Sequence, residues 1–349
     1  MRNLITALTA ALILLAVSAA GASANISLSG GTASIAVEPS FTNKLAKKKV
    51  TPSLVSPATG STTQFAIPVR GGLIVQSKGT GTYRTTGGIA FAYKSRKINI
   101  ANLRFTKTGS SFVSATVGGS QMVAFRASAG TVVRAGFNTD VRSIVLRLTD
   151  EAAARINSVL KLSKTKTAFA GNQLVGVATI NSIASKIEVA GGGRFRVALD
   201  QSPQNKLAEV GVKLTPMKPS KTSGGKLIFP GAGGGYLKPG TLTGPVNFSG
   251  GLSFKRGSSS LKLRYPVVNI AKRGWISFTR SNGSKIKFAH IDPAQLITTV
   301  DPATRKITLT NAHLTLTNDA ARLLKSTFKT TRFAQDDPLG VATMIVNGK

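Results

Sequence analysis

The side chains able to do covalent or proton-transfer chemistry are few: two histidines, four tyrosines and no cysteine. Without thiols there is no thiolate nucleophile, no Cys-ligated metal and no disulfide scaffold. Hydrolysis would need two carboxylates facing one bond, or a nucleophile with a positioned base. The acidic positions that recur along the chain are Glu38 with Asp200, and Glu151 with Asp319. The second pair reads as first-turn helix residues held by the helix dipole. The first reads as strand-end carboxylates that accept turn hydrogen bonds. His313, between Ala312 and Leu314, points to the polar side of a strand. Alternation places His290 on one face with Ile286 and Phe288, just before Asp292, and predicts a strand-end imidazole satisfied by a backbone or carboxylate partner. Gly79-Thr80-Gly81 has Arg84 where a dinucleotide loop carries its third glycine, and no βαβ unit surrounds it. The reading is a non-enzyme, with no catalytic and no metal-binding residue assigned.

Charge is the extreme feature, with 46 Lys plus Arg against 12 Asp plus Glu and a formal net charge of +34. No acidic residue lies between Glu38 and Asp140. Fields of this sign concentrate polyanions and make association salt-dependent. Outside a cell the candidates are wall polymers, anionic lipid headgroups and extracellular nucleic acid. Lys78, Tyr83, Arg84, Phe91, Tyr93, Lys94, Arg96 and Lys97 interleave bases with rings, as single-strand binders do. Phe91 and Tyr93, however, alternate with Ile89 on one face and read as core. Nucleic acid is therefore expected to bind only non-specifically, and Lys47-Lys48-Lys49 reads as a solvated loop.

The elements that must position these residues come from a duplication. Asn43-Lys44-Leu45-Ala46 recurs as Asn205-Lys206-Leu207-Ala208, and Gly87-Gly88 with Phe91 recurs as Gly250-Gly251 with Phe254. Leu148-Thr149 with Ala152-Ala153 recurs as Leu316-Thr317 with Ala320-Ala321, and Phe169 with Gly176 recurs as Phe333 with Gly340. Landmarks in one order imply two copies of a single unit of roughly 160 residues. Ahead of them, Arg2, an apolar stretch from Leu4 to Ala20 and Ala22-Ser23-Ala24 form an export signal. The expected division is a signal over 1–24, a first domain over 25–187 and a second over 188–349, with no transmembrane segment after cleavage. The product is secreted and is retained at the cell wall, if at all, by non-covalent forces.

Period-two alternation runs through Ile144, Leu146 and Leu148, through Leu261, Leu263 and Tyr265, and through Ala312, Leu314 and Leu316, which marks half-buried strands. Thr149 and Thr317 are suited to cap a helix in each copy, with Ala153, Ile156 and Leu160 on its inner face. The fold class is all-β: two tandem antiparallel β-sandwich or barrel-like domains, each with one short helix near its C-terminal end.

With these motifs the sequence resembles the HtaA domain of actinobacterial secreted and surface proteins. The resemblance rests on Gly87 to Phe91 and Gly250 to Phe254, on Leu148 to Ala153 and Leu316 to Ala321, and on Phe169 to Gly176 and Phe333 to Gly340. It spans nearly all of the exported chain. It implies haem uptake outside the cell, with a tyrosine in the N-terminal part of the domain as iron ligand, supported by a histidine. The stretch from Ser40 to Leu45 and its copy ending at Leu207 hold no tyrosine. The haem-ligand candidates that remain are Tyr83, Tyr93, Tyr236, Tyr265 and His290. At the repeat offset the four tyrosines face Val246, Arg256, Leu73 and a position near Asn102.

Three readings follow. The first is a basic, secreted binding protein of the HtaA type, with haem or another anionic ligand as cargo at the cell surface. The alternative is a structural or adhesive protein that binds wall polyanions and carries no small molecule. A wall-polysaccharide hydrolase is the reading the residues favour least.

Overall fold

The computed structural model describes residues 25–163 and 167–349; the expected export signal over 1–24 lies outside them. The chain forms two units: the first runs to Val132 and resumes over Val141–Ile180, and the second comprises Val133–Asp140 and Asn181–Lys349.

Each unit is a closed antiparallel barrel. In the first, the ring passes through Arg96–Lys107, Thr80–Thr85, Gln64–Val75, Asn25–Val37, Leu174–Ala184, Asn138–Leu148, Ser120–Ala127 and Phe112–Val117, which pairs back with Arg96–Lys107. In the second it passes through Lys226–Leu237, Gly191–Leu199, Pro338–Asn347, Lys306–Leu316, Lys285–Ile291, Gly274–Arg280, Ser259–Ile270 and Gly244–Phe248, which pairs back with Lys226–Leu237. Closure leaves no free sheet edge within the ring. Of the two expected forms, sandwich or barrel, the chain takes the barrel.

The alternation predicts which residues fill the interior. Leu146, Leu148, Ile98 and Ile100 are buried in the first barrel, and Leu261, Leu263, Leu314 and Leu316 in the second. Burying each such side chain contributes about 1.5–3 kcal/mol. Gly87 and Gly250 have φ of 94° and 85°. A Cβ at Gly250 would collide with Ser220, and one at Gly87 would lie 2.8 Å from the Val55 carbonyl oxygen. This explains why the paired glycines recur.

Among the described residues each copy carries two helices rather than one. The expected pair is present: α2 (Asp150–Leu160) and α4 (Asn318–Phe328) begin at Thr149 and Thr317, whose hydroxyls accept from the amides of Ala152 and Ala320 at 3.2 and 3.1 Å. The additional pair is α1 (Pro39–Lys47) and α3 (Gln201–Glu209). Glu38 and Asp200, read as strand-end acceptors, stand at the N-caps of these helices and make no side-chain cap bond. Pro39 at the helix start and the buried pair Phe41 and Leu45 explain α1.

Two strand faces differ from the alternation. Tyr265 has φ of 52° and is 58% exposed, although Leu261 and Leu263 are buried. The pairing of its strand shifts between Arg264 and Val267, which turns Tyr265 outward. Likewise the register slips between Ile276 and Ser277, so Phe288 and Ala289 both point inward and His290 emerges on the outside.

Candidate ligand-binding face

In the second barrel the bulge at Phe288 sets an outer row of side chains. Pro245 pairs with Asn269, Asn269 with Trp275, Trp275 with His290, and His290 with Thr315. Their strand neighbours Val246, Val268, Ile276, Ala289 and Leu316 are buried, so the row faces outward. Gly235 opposite Val246 sets Tyr236, 42% exposed, beside Pro245 at the end of the same row. From Tyr236 to Trp275 is three interstrand steps of roughly 4.8 Å, or about 14 Å.

The centre of the row has the ingredients of a ligand site. His290 is exposed, and its imidazole has no hydrogen-bond or ion-pair partner among the described residues. The expectation of a satisfied strand-end histidine is corrected: the bulge carries the ring away from the backbone and carboxylate groups that would have served it. Trp275 lies directly across from it, and the Lys287 ammonium sits 4.4 Å from the indole centroid. An unpaired imidazole, a flat aromatic surface and a cation converge on one patch. His313 faces outward as expected, with Nε2 3.2 Å from Asn311 Oδ1.

The remaining candidates stand apart. Tyr83 is fully buried in the first barrel, its hydroxyl donating to the Gly79 carbonyl at 2.8 Å, and burial pushes the phenol pKa upward. Deprotonation to a ligating phenolate is thereby disfavoured, and Tyr83 serves the core. Tyr93 is half-buried against the same core, with Lys94 Nζ 5.9 Å from its ring centroid. Tyr265 belongs to the second barrel, at its own bulge. The structure therefore brings Tyr236 and His290 onto one row and leaves the other three elsewhere.

Sequence reasoning passed over Trp275 and Lys287. The signal was present for the tryptophan: in Trp275-Ile276-Ser277-Phe278-Thr279 the ring shares its face with Ser277 and Thr279, opposite buried Ile276 and Phe278. A lone tryptophan on the polar face of a strand is a ring left outside the core, and Trp275 is half-buried there.

The first barrel provides an internal reference. Thr106 pairs with Phe112, Phe112 with Arg126, and Arg126 with Arg147. The same register and the same bulge thus hold Thr106, Phe112, Arg126 and Arg147 where the second barrel has Asn269, Trp275, His290 and Thr315. Val123 pairs with Ser114 as Lys287 does with Ser277.

The barrel interiors are too small for a cofactor. The second holds a cavity of about 70 Å³ lined by Phe195, Phe229, Phe254, Phe278 and Phe288, and the first one of about 30 Å³. Small-molecule sites span roughly 300–1,000 Å³. Among the described residues no group of three His, Asp or Glu side chains could hold a metal ion, and no helix is long and apolar enough to cross a membrane.

No family model matches the chain, and no curated protein matches it. Among solved structures it is similar to the C-terminal domain of HtaA from Corynebacterium glutamicum, at 13% identity over 47% of this chain and 99% of that one, with a TM-score of 0.37. It is also similar to the heme-binding protein HtaB from Corynebacterium glutamicum, at 14% identity over 47% of this chain and 96% of that one, with a TM-score of 0.33. Each likeness spans about the length of one copy.

Proposed function

We propose that the protein is an exported, non-enzymatic binding protein that takes haem, or another planar anionic ligand, on the outer face of its second barrel. The observation that supports this most is the cross-strand pair Trp275 and His290 with Lys287 over the indole. A neutral imidazole is a haem-iron ligand. An indole offers a flat apolar flank to a macrocycle, and an ammonium pairs with carboxylates such as propionates. The motif resemblance to HtaA domains in both copies points to the same cargo. Titrating haemin into the exported chain tests the reading by absorbance. A Soret shift at micromolar haemin, weakened by Trp275→Ala and Lys287→Gln and retained when Tyr83 becomes Phe, is expected. No shift, or one unchanged when His290 and the four tyrosines are all replaced, contradicts it.

A second reading rests on charge. With 46 basic residues against 12 acidic ones in the whole sequence, of which only Arg2 leaves with the signal, the exported chain attaches to wall polyanions by many weak contacts, each on the order of 1 kcal/mol or less. The Debye length falls from about 10 Å at 0.1 M salt to about 3 Å at 1 M, so washed cells retain the protein at low salt and release it intact near 1 M NaCl. Retention at the higher salt would mean a specific or covalent attachment instead.

A further inference from the structure

An open cleft in the second unit has a different character from the Trp275 row. It holds about 540 Å³ and is walled by the end of α3, the last residue of the strand Gly251–Arg256 and the segment that follows α4. Four cations line it, Arg256, Lys325, Lys329 and Arg332, against one carboxylate, Glu209. Two hydroxyls, those of Thr330 and Thr331, and the Val210 side chain complete the lining. Its volume falls in the range of small-molecule sites, unlike the barrel interiors.

Two of the cations are held by side-chain contacts, and the backbone places the other two. Arg256 donates from Nη1 to the Phe328 carbonyl at 2.7 Å, which ties the strand end to the last turn of α4 and leaves the other donors of the guanidinium to the cleft. Lys329 caps α4 in the left-handed region at φ 47°, and the Thr330 amide donates to the Lys325 carbonyl at 3.2 Å. Arg332 Nε lies 3.6 Å from Glu209 Oε2, an exposed pair that neutralises one of the four. Arg256, Lys325 and Lys329 have no carboxylate partner among the described residues. The C-terminal dipole of α4 accounts for a cation or two in its last turn. It does not account for Arg256, which comes from the sheet, or for Arg332 beyond the helix. In the first copy the positions of Arg256 and Lys325 are held by Tyr93 and Asn157, and Asn157 turns inward to donate to the Phe169 carbonyl at 2.8 Å.

We infer that this cleft is a binding site for clustered phosphate groups, met either as a free oligophosphate or along a phosphodiester polymer. Forked guanidiniums recognise tetrahedral oxyanions through paired hydrogen bonds, while ammonium groups and hydroxyls complete the coordination. The inference rests on the polyanion reading and sharpens it from dispersed charge to one place.

The test uses the exported full-length chain and tripolyphosphate, titrated calorimetrically at about 0.1 M salt. The variant combines Lys325→Gln, Lys329→Gln and Arg332→Gln, which spares the Arg256 tie to α4. Its control combines Lys47→Gln, Lys48→Gln and Lys49→Gln, which removes the same charge from the first copy. Saturable binding that weakens at least tenfold in the cleft variant and less than twofold in the control is expected, with unchanged unfolding midpoints. Equal weakening in both, or no saturable binding, overturns the site. Salt-sensitive retention on cells would still stand in that case, so the two readings fail separately. Repeating the titration with a glycerol-phosphate oligomer distinguishes the sources: a further tenfold gain marks a polymer site, and no gain marks the free anion.

Discussion

The two copies share a barrel and differ in what they hang on it. Both have the same ring closure, the same capped helix after the Leu-Thr motif and the same outward bulge before Arg126 and His290. Inside, the third residue of the first helix is Phe41 in one copy and Pro203 in the other. Phe41 packs edge-on with Phe91 and Phe169 at 6.1 and 6.0 Å, and the cavity beside it is about 30 Å³. Where Pro203 stands, the cavity is about 70 Å³. At the helix flank Lys44 donates to the Gln173 side chain at 3.3 Å, whereas Lys206 pairs with Asp337 at 2.7 Å. Outside, Phe112 and Arg126 occupy the places that Trp275 and His290 hold in the second copy. The scaffold tolerates these exchanges because each leaves the strand register intact, so a duplicated barrel keeps one copy tightly filled while the other acquires new surfaces.

The difference inside can be broken most severely at Phe41. Phe41→Ala removes the ring that packs on both Phe91 and Phe169 and is expected to destabilise the first unit by about 3–5 kcal/mol. Denaturant unfolding followed for each unit should show the loss there and no change in the second. The converse, Pro203→Phe, fills the larger cavity and should stabilise the second unit by roughly 0.5–2 kcal/mol; a loss would mean that the helix, and not the ring, sets the cavity. Thr149→Ala and Thr317→Ala should each cost about 1 kcal/mol, the same in both copies, because the cap is common to both. Smallest is Asp337→Gln, which imports the first copy's neutral partner for Lys206. The shift in unfolding free energy should stay within about 1 kcal/mol, since partly exposed ion pairs contribute little.

Much of this was legible in the sequence. Strand alternation placed Leu146, Leu148, Leu314 and Leu316 inside, and Thr149 and Thr317 announced their helices. The helices α1 and α3 were hidden because they are short and their caps, Glu38 and Asp200, make no side-chain bond; only Pro39 and the spacing of Phe41 and Leu45 signalled the first. The site was harder. A bulge inserts one residue without a compositional mark, and two separate bulges moved Tyr265 and His290 from the expected inner face to the outer one. The cleft around Arg256 draws on three segments distant in sequence, so no local pattern could join them. Trp275 was readable from its polar strand neighbours alone.

The claim that the second copy alone carries the ligand face is tested most directly by haemin stoichiometry in matched variants. The chain should bind one haem, His290→Ala should abolish the Soret shift, and Arg126→Ala, at the corresponding place in the first barrel, should leave it unchanged. Two haems per chain, or a Soret shift that survives in His290→Ala, would contradict the account.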